Sequence, residues 1–191
     1  AYGGMLILPA TPEVIASFVA EAQAAPEELS SIANVMSAPP MPFFPAELHG
    51  QLVVMALMFY AGAPEAGERV LAPFRSLAAP LADMLQPMRY PELYQSEEGG
   101  FHPMAVSHTM FVNKIDHGAA ETILEHLRSS DATMRAAQIR VLGGAMARVP
   151  AEATAFAHRQ APIMVNLAAF YNAPEERLVR QAWVDAFREA L

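Results

Sequence analysis

Two corners of this chain carry nearly the same text, Phe59-Tyr-Ala-Gly-Ala-Pro-Glu65 and Phe170-Tyr-Asn-Ala-Pro-Glu175. Each follows an apolar run of strand length and opens a helix, with proline in the first turn and acid near the positive end of the dipole. A recurring strand-to-helix corner restricts the topology, because equivalent elements must surround it. The order strand, helix, strand, strand, helix is read from Tyr2 to Leu77 and again from Ser107 to Leu191. Helices that follow strands, with strands grouped in pairs, predict an α+β fold: an antiparallel β-sheet with α-helices packed on one face, built from a duplicated β-α-β-β-α unit. The opposite face needs a cover, and no segment remains to supply one.

The local signals support this order. Tyr2 to Leu8 reads as a strand ended by Pro9, and Thr11-Pro12-Glu13 as a helix start. Val14, Ile15, Phe18, Val19 and Ala22 then recur at helical spacing. A strand from Ser31 to Ser37 and a proline-rich loop from Ala38 to Gly50 lead to Gln51–Tyr60, which is apolar on both faces and reads as a central strand. Pro64 opens a second helix, which Pro73 should kink or restart near Phe74. The region from Ala79 to Met104 reads as irregular, with Gly99-Gly100 and a short strand near Met84 to Met88. Ser107–Ile115 is a strand, and Asp116 caps a helix over Gly118–Arg128 that buries Ala120, Ile123, Leu124 and Leu127. Met134–Val149 reads as one bent strand or two, broken at Gly143-Gly144, and Ile163–Tyr171 as a strand. Asn172 caps a last helix whose buried side is Leu178, Val179, Ala182, Trp183, Ala186 and Phe187.

Composition removes several functions. The 191 residues suit one domain and can bury a sizeable core. A net charge of -8, with lysine nearly absent, argues against nucleic acid, whose phosphates demand clustered cations. The longest apolar run, Leu52 to Ala61, is far short of the roughly 20 residues a bilayer requires, so no membrane partner is expected. Zero cysteines exclude disulfides and thiolate metal sites and fit a cytoplasmic location. The N-terminus, lacking an initiator Met and a basic region, reads as neither a natural start nor a signal peptide. No paired-histidine helix motif, phosphate-cradling glycine loop or G-x-S-x-G elbow occurs, and no metal site is expected. The 53% hydrophobic content, with 12 Met, fits either a well-filled core or an apolar face that meets a partner.

The remaining polar candidates sit on strands. Alternation places Ser107, Thr109, Phe111 and Asn113 on one face, and likewise groups Gln138 with Arg140 and Asn166 with Met164. Such a mixture of oriented polar groups with Phe and Met matches the floor of a small-molecule site. An ordinary solvated sheet face reads the same way. His158-Arg159, in a loop after Gly-Gly, suits a structural hydrogen-bonding role.

Three spaced segments carry a resemblance: Val141-Leu-Gly-Gly-Ala-Met-Ala-Arg-Val-Pro150, Ala155-Phe-Ala-His-Arg159 and Ala161-Pro-Ile-Met-Val-Asn-Leu167, followed by Tyr171-Asn-Ala-Pro174. Tyr2-Gly-Gly-Met5, Ala38-Pro-Pro-Met-Pro42, Glu47-Leu-His-Gly50 and Ala61-Gly-Ala-Pro-Glu65 add to it. In order and spacing they resemble the substrate-binding domain of the berberine-bridge-enzyme-like FAD-linked oxidases. The resemblance implies that residues 1–191 form only the central domain of a larger oxidoreductase. Its sheet would lie over the isoalloxazine ring, and an N-terminal FAD-binding domain and a C-terminal Tyr-x-Asn segment would lie outside this chain. It implies hydride transfer from a small organic substrate to flavin, with O2 as acceptor, and FAD in the full-length protein. By itself the chain is expected to bind no FAD and to turn nothing over. Some members of the family place an acidic base in the strand before Gly-Gly, where this chain has Gln138 and Arg140. A base is then left to a tyrosine, a histidine or the absent portions. The alternative reading is a flavin-free module that binds a ligand or a second copy of itself through the open sheet face.

Overall fold

The computed structural model describes residues 1–40, 46–94 and 104–191. Its first half runs β1 (Tyr2–Pro9), α1 (Pro12–Ala24), β2 (Leu29–Ser37), β3 (Leu52–Tyr60) and α2 (Pro64–Arg75). Two short strands follow, β4 (Ala82–Asp83) and β5 (Gln86–Pro87). The second half runs β6 (Met104–Val112), α3 (His117–Ser129), β7 (Arg135–Val141), a single helical turn α4 (Gly144–Ala147), β8 (Ile163–Tyr171) and α5 (Arg177–Ala190). Among the described residues the strands form one antiparallel sheet in the order β4-β1-β3-β2-β7-β8-β6, with β5 also on β1. The order mirrors itself about the middle: β1-β3-β2 meets β7-β8-β6 where β2 pairs with β7. The duplicated unit expected from the two corners is present, each half giving three strands.

Local chemistry sets the helix starts. The Thr11 hydroxyl accepts from the Val14 amide at 3.2 Å, and the Asp116 carboxylate accepts from the Ala119 amide at 3.1 Å. Each satisfies a backbone donor that the first turn leaves without a partner. Arg75, in the last turn of α2, bonds Asp83 at 2.6 Å and also reaches the Tyr2 hydroxyl and the Leu85 carbonyl. One guanidinium thereby ties the helix to the short edge strands.

The helices cover one sheet face. Leu6, Leu8, Val54, Ala56, Val35, Ile139, Val165 and Leu167 alternate inward from their strands and meet Ile15, Phe18, Leu71, Phe74, Ile123, Leu124, Leu127 and Phe187. Each such large side chain contributes about 1.5–3 kcal/mol through removal of its surface from water. Phe18 and Phe74 meet edge to face with centroids 5.1 Å apart, locking α1 against α2. Among the described residues no helix is long and apolar enough to cross a membrane.

Several boundaries differ from expectation. Pro73 neither breaks nor restarts α2; the helix is continuous and ends at Arg75, so proline occupies its last turn. The Met134–Val149 stretch is not a bent strand, because β7 stops at Val141 and Gly144 begins a helical turn. In place of one strand near Met84–Met88 there are two pairs of residues, β4 and β5. The strand expected to reach Ile115 ends at Val112, leaving Asn113 in a bend. Asn172 does not cap the last helix: a 3₁₀ turn, Pro174–Glu176, intervenes, and the Ala173 amide donates to the Glu176 carboxylate. The buried side of α5 is Arg180, Val184 and Phe187, with Trp183 half-buried, while Leu178, Val179, Ala182 and Ala186 face outward. Arg180 decides this rotation, held by Asp131 and by Glu176 at 2.8 Å, while the Trp183 indole donates to the His126 carbonyl at 2.9 Å. Pro42, Pro45, Gly99-Gly100, His102 and Pro103 lie outside the described residues.

The start of α3 is linked to α1 by His117, whose Nε2 lies 2.9 Å from Glu13, with Glu121 at 3.6 Å and Asp116 adjacent in sequence. The hydrogen bond to Glu13 raises the His117 pKa above its ordinary value, and that to His117 lowers the Glu13 pKa. The His117 contribution is therefore complete below its unfolded pKa, about 6.5, and is lost as pH rises through the raised folded value. The Glu13 contribution is present above its unfolded pKa and is lost as pH falls through the depressed folded one. The urea midpoint of Glu13→Gln should fall below that of the parent near pH 6 and approach it as pH rises to about 8. A gap unchanged across that interval would rule out the ion pair as its source.

Candidate functional site

The face of the sheet away from the helices carries a row of polar side chains at one register. Thr109 on β6 opposes Asn166 on β8, Asn166 opposes Gln138 on β7, and Gln138 opposes Asn34 on β2. The Asn166 amide donates to the Thr109 hydroxyl at 2.8 Å, and the Gln138 amide donates to the Asn34 carbonyl oxygen at 2.9 Å. Asn34 in turn donates to the Met55 backbone carbonyl at 3.5 Å. One row along, Arg140 opposes Met164, which opposes Phe111, and the Arg140 Nε donates to the Gln138 carbonyl oxygen at 3.0 Å. Strand pairing thus assembles residues that lie over a hundred positions apart.

Among the described residues, the ends of this face are covered and its middle is open. Toward β1, Leu48, Leu81 and Met84 pack over Ile7, Val53 and Ala38 as a second apolar cluster. Toward β6, His158 stacks on Phe111 with centroids 4.1 Å apart, and Phe156 meets both rings at an edge. The expectation that nothing in the chain covers this face is corrected: the segments 46–52, 81–94 and 144–161 fold over its margins. His158 and Arg159 have structural contacts there. Arg159 donates to the Met146 carbonyl and to the Thr154 hydroxyl and lies over the Phe156 ring, which pins the loop after Gly-Gly.

A cleft of about 540 Å³ opens beside the polar row, at the strand end where β7 turns into α4. Its walls include Ile32, Leu57, Phe59, Tyr90, Tyr94 and Arg140. Tyr90 meets Phe59 edge to face at 5.0 Å, and the Tyr90 and Tyr94 hydroxyls are 3.2 Å apart. That shared hydrogen bond raises the Tyr90 pKa above its ordinary value. Gly143 and Gly144 form the floor of the turn with φ of 156° and 53°. Across it Arg148 grips Glu27 through both oxygens, at 2.5 and 3.2 Å, and lowers the Glu27 carboxyl below its usual range.

The sequence candidates divide accordingly. Thr109, Asn166, Gln138 and Arg140 come together. Ser107 lies on the same face one row further along, opposite Ala168. Asn113, in its bend beyond β6, is not part of the row. Asn34, Tyr90 and Tyr94 were not anticipated. Asn34 is the single amide of a strand that also carries Ser30, Ser31 and Ser37, so it stands out less than Asn166 does in β8. Among the described residues no three His, Asp or Glu gather as metal ligands would.

No protein-family model matches the sequence, and no curated protein matches it. Solved structures do match the fold. The Physcomitrella patens protein BBE-like 1 superposes with a TM-score of 0.76 at 13% identity, over 99% of this chain and 42% of that one. Aclacinomycin oxidoreductase gives 0.71 at 18% identity over 99% and 40%. The 6-hydroxy-D-nicotine oxidase of Arthrobacter nicotinovorans gives 0.73 at 14% over 98% and 42%. This chain has the fold of one part of the berberine-bridge-enzyme-like oxidases. It spans about two fifths of their length, and at these identities the likeness is one of architecture.

The Gly-Gly turn that shapes the cleft can be tested directly. Nothing lies within 4 Å of a Cβ added at Gly143, so Gly143→Ala meets no clash, yet its backbone conformation is open only to glycine. It should cost about 1–3 kcal/mol in urea unfolding. Gly144→Ala, at a left-handed angle with the Glu27 Cβ at 3.3 Å, should cost about 1–2 kcal/mol. Parental stability in Gly143→Ala would mean that the turn relaxes freely.

Proposed function

We propose that this chain is the substrate-binding portion of an FAD-dependent oxidoreductase, and that its outer sheet face covers the flavin ring with the substrate between them. The supporting observation is the polar row Thr109–Asn166–Gln138–Asn34, aligned by strand register and hydrogen-bonded as the two pairs Asn166–Thr109 and Gln138–Asn34, in a fold that recurs as two fifths of several oxidoreductases.

The fit to FAD is partial and informative. A flat, half-polar ring system suits a face of amides bordered by Phe111, Phe59 and Tyr90. The diphosphate has no matching cradle in the described residues. The starts of α1 and α3 are filled by the Thr11 and Asp116 side chains, and Glu65 and Glu175 flank the other two Pro-led corners. Anionic side chains at these ends repel phosphate where a nucleotide site would attract it. This chain therefore acts as the roof of the ring, and another part of the enzyme holds the cofactor.

The flavin would supply the hydride acceptor, with O2 as the final oxidant. The residues here bind and orient the substrate, because amides on a rigid sheet present donors and acceptors at set positions without changing charge. Gln138, Asn166, Asn34 and Thr109 cannot accept a proton at neutral pH, and Arg140 stays protonated. The hydrogen bond shared with Tyr94 raises the Tyr90 pKa. A base is left to a tyrosine, a histidine or a group outside this chain.

The test uses the full-length protein. It should purify with the absorbance of a bound flavin that bleaches when substrate is added without oxygen. Gln138→Leu should retain the flavin and slow bleaching about tenfold, the worth of one oriented hydrogen bond. The chain by itself should bind FAD negligibly in a calorimetric titration. A full-length protein without flavin, tight FAD binding by the chain alone, or unchanged bleaching in Gln138→Leu would each overturn part of this reading. A flavin-free dimer closed through the sheet face would replace it entirely.

A further inference from the structure

Resting on the reading of the outer face as a substrate site, we propose that the cleft beside it takes a small aromatic or apolar molecule bearing a carboxylate, with Arg140 as the residue that grips the charge. Arg140 is half-buried in the cleft wall, and its Nε is engaged by the Gln138 carbonyl oxygen at 3.0 Å. Its two terminal nitrogens have no partner among the described residues, whereas the half-buried Arg159 meets Met146 and Thr154 and even the exposed Arg148 is closed on Glu27. Glu27 also lines the cleft, but its carboxylate is closed on Arg148, which leaves Arg140 as a cation of the wall with no carboxylate partner among the described residues.

The guanidinium is also aimed. Gln138 directs its oxygen at Arg140 and its amide nitrogen at Asn34, and Asn34 rests on the Met55 backbone. This relay fixes the amide orientation and leaves the two terminal N–H groups of Arg140 as a fork. Such a fork matches the two oxygens of a carboxylate and is always charged. A phosphate would call for more than one cation or the start of a full helix, whereas the cleft wall provides Arg140 and the start of α4, a single turn of four residues. The remaining walls define the body of the ligand: Ile32, Leu57 and Phe59 from the sheet and Tyr90 form an apolar, aromatic side, while Gln23, Ser30 and Ser31 give the cleft a polar one. At about 540 Å³ the cleft lies in the range that encloses a molecule of drug-like size.

The experiment measures binding of 2-naphthoate and its neutral isostere 2-naphthamide to the full-length protein by calorimetry, for the parent, Arg140→Gln and Arg140→Lys. The parent should prefer naphthoate by tenfold or more. Arg140→Gln should lose that preference with naphthamide binding and thermal midpoint unchanged, and Arg140→Lys should recover only part of it, lacking the fork. Equal affinity for the two probes, no binding of either, or full preference in Arg140→Gln would overturn the proposal. The flavin spectrum of the same preparation separates the two readings. Preference for naphthoate in a protein without flavin would leave the carboxylate site standing and remove the oxidoreductase; flavin with no preference would do the reverse.

Discussion

The pairing of β2 with β7 is the contact on which the rest of this structure depends. Each half of the chain forms three strands, and either set alone would present an unpaired edge. Joined through Ala33↔Ile139, Asn34↔Gln138, Val35↔Ala137 and Met36↔Ala136, they become one sheet wide enough for α1 and α3 to lie side by side over the seam. The same four pairs settle which residues face the helices. Ala33, Val35, Ala137 and Ile139 go into the core, and Asn34 and Gln138 go to the other side.

That division explains how a chain so rich in apolar residues can still present a polar site. A strand alternates with a period of two, so each inward Val, Ile or Leu commits its neighbours to the outer face. On β3 both faces are apolar, since the outer one is capped by Leu48 and Met84 near Val53 and by Tyr90 near Phe59. On β2, β7, β8 and β6 the outer face changes character to Asn34, Gln138, Asn166 and Thr109. Each amide finds a partner in its neighbour, which limits the cost of setting half-buried polar groups beside apolar ones.

What could be read from the text was what local chemistry determines. Thr11 and Asp116 announce their helices because a cap acts within three residues, and Ile163–Tyr171 announces its strand through composition alone. The internal duplication was legible because two Pro-Glu corners repeat. The side of α5 that turns inward was not, because it depends on Arg180 meeting Asp131, 49 residues earlier. By periodicity Leu178 and Val179 belong inside; the ion pair and the 3₁₀ turn before the helix rotate them out. The Gly-Gly turn misled for a related reason: a pair of glycines fits a bent strand as well as a turn into α4, and only the backbone angles distinguish them. Tyr90 and Tyr94 were hidden in a proline-broken stretch whose placement rests on contact of Tyr90 with Phe59, far away in sequence.

The polar row shows why site and fold cannot be varied independently here. A slip of one residue between β2 and β7 would turn Asn34 into the helix-covered core and move Val35 out of it, at a cost of several kcal/mol from the stranded amide and the lost burial together. The register that keeps Asn34 outside is therefore enforced by the core on the opposite face, and that register sets the spacing of Gln138 and, through it, the direction of Arg140. The side chains of the site have few contacts of their own to hold them. Their placement is inherited from the packing of residues on the opposite face of the sheet.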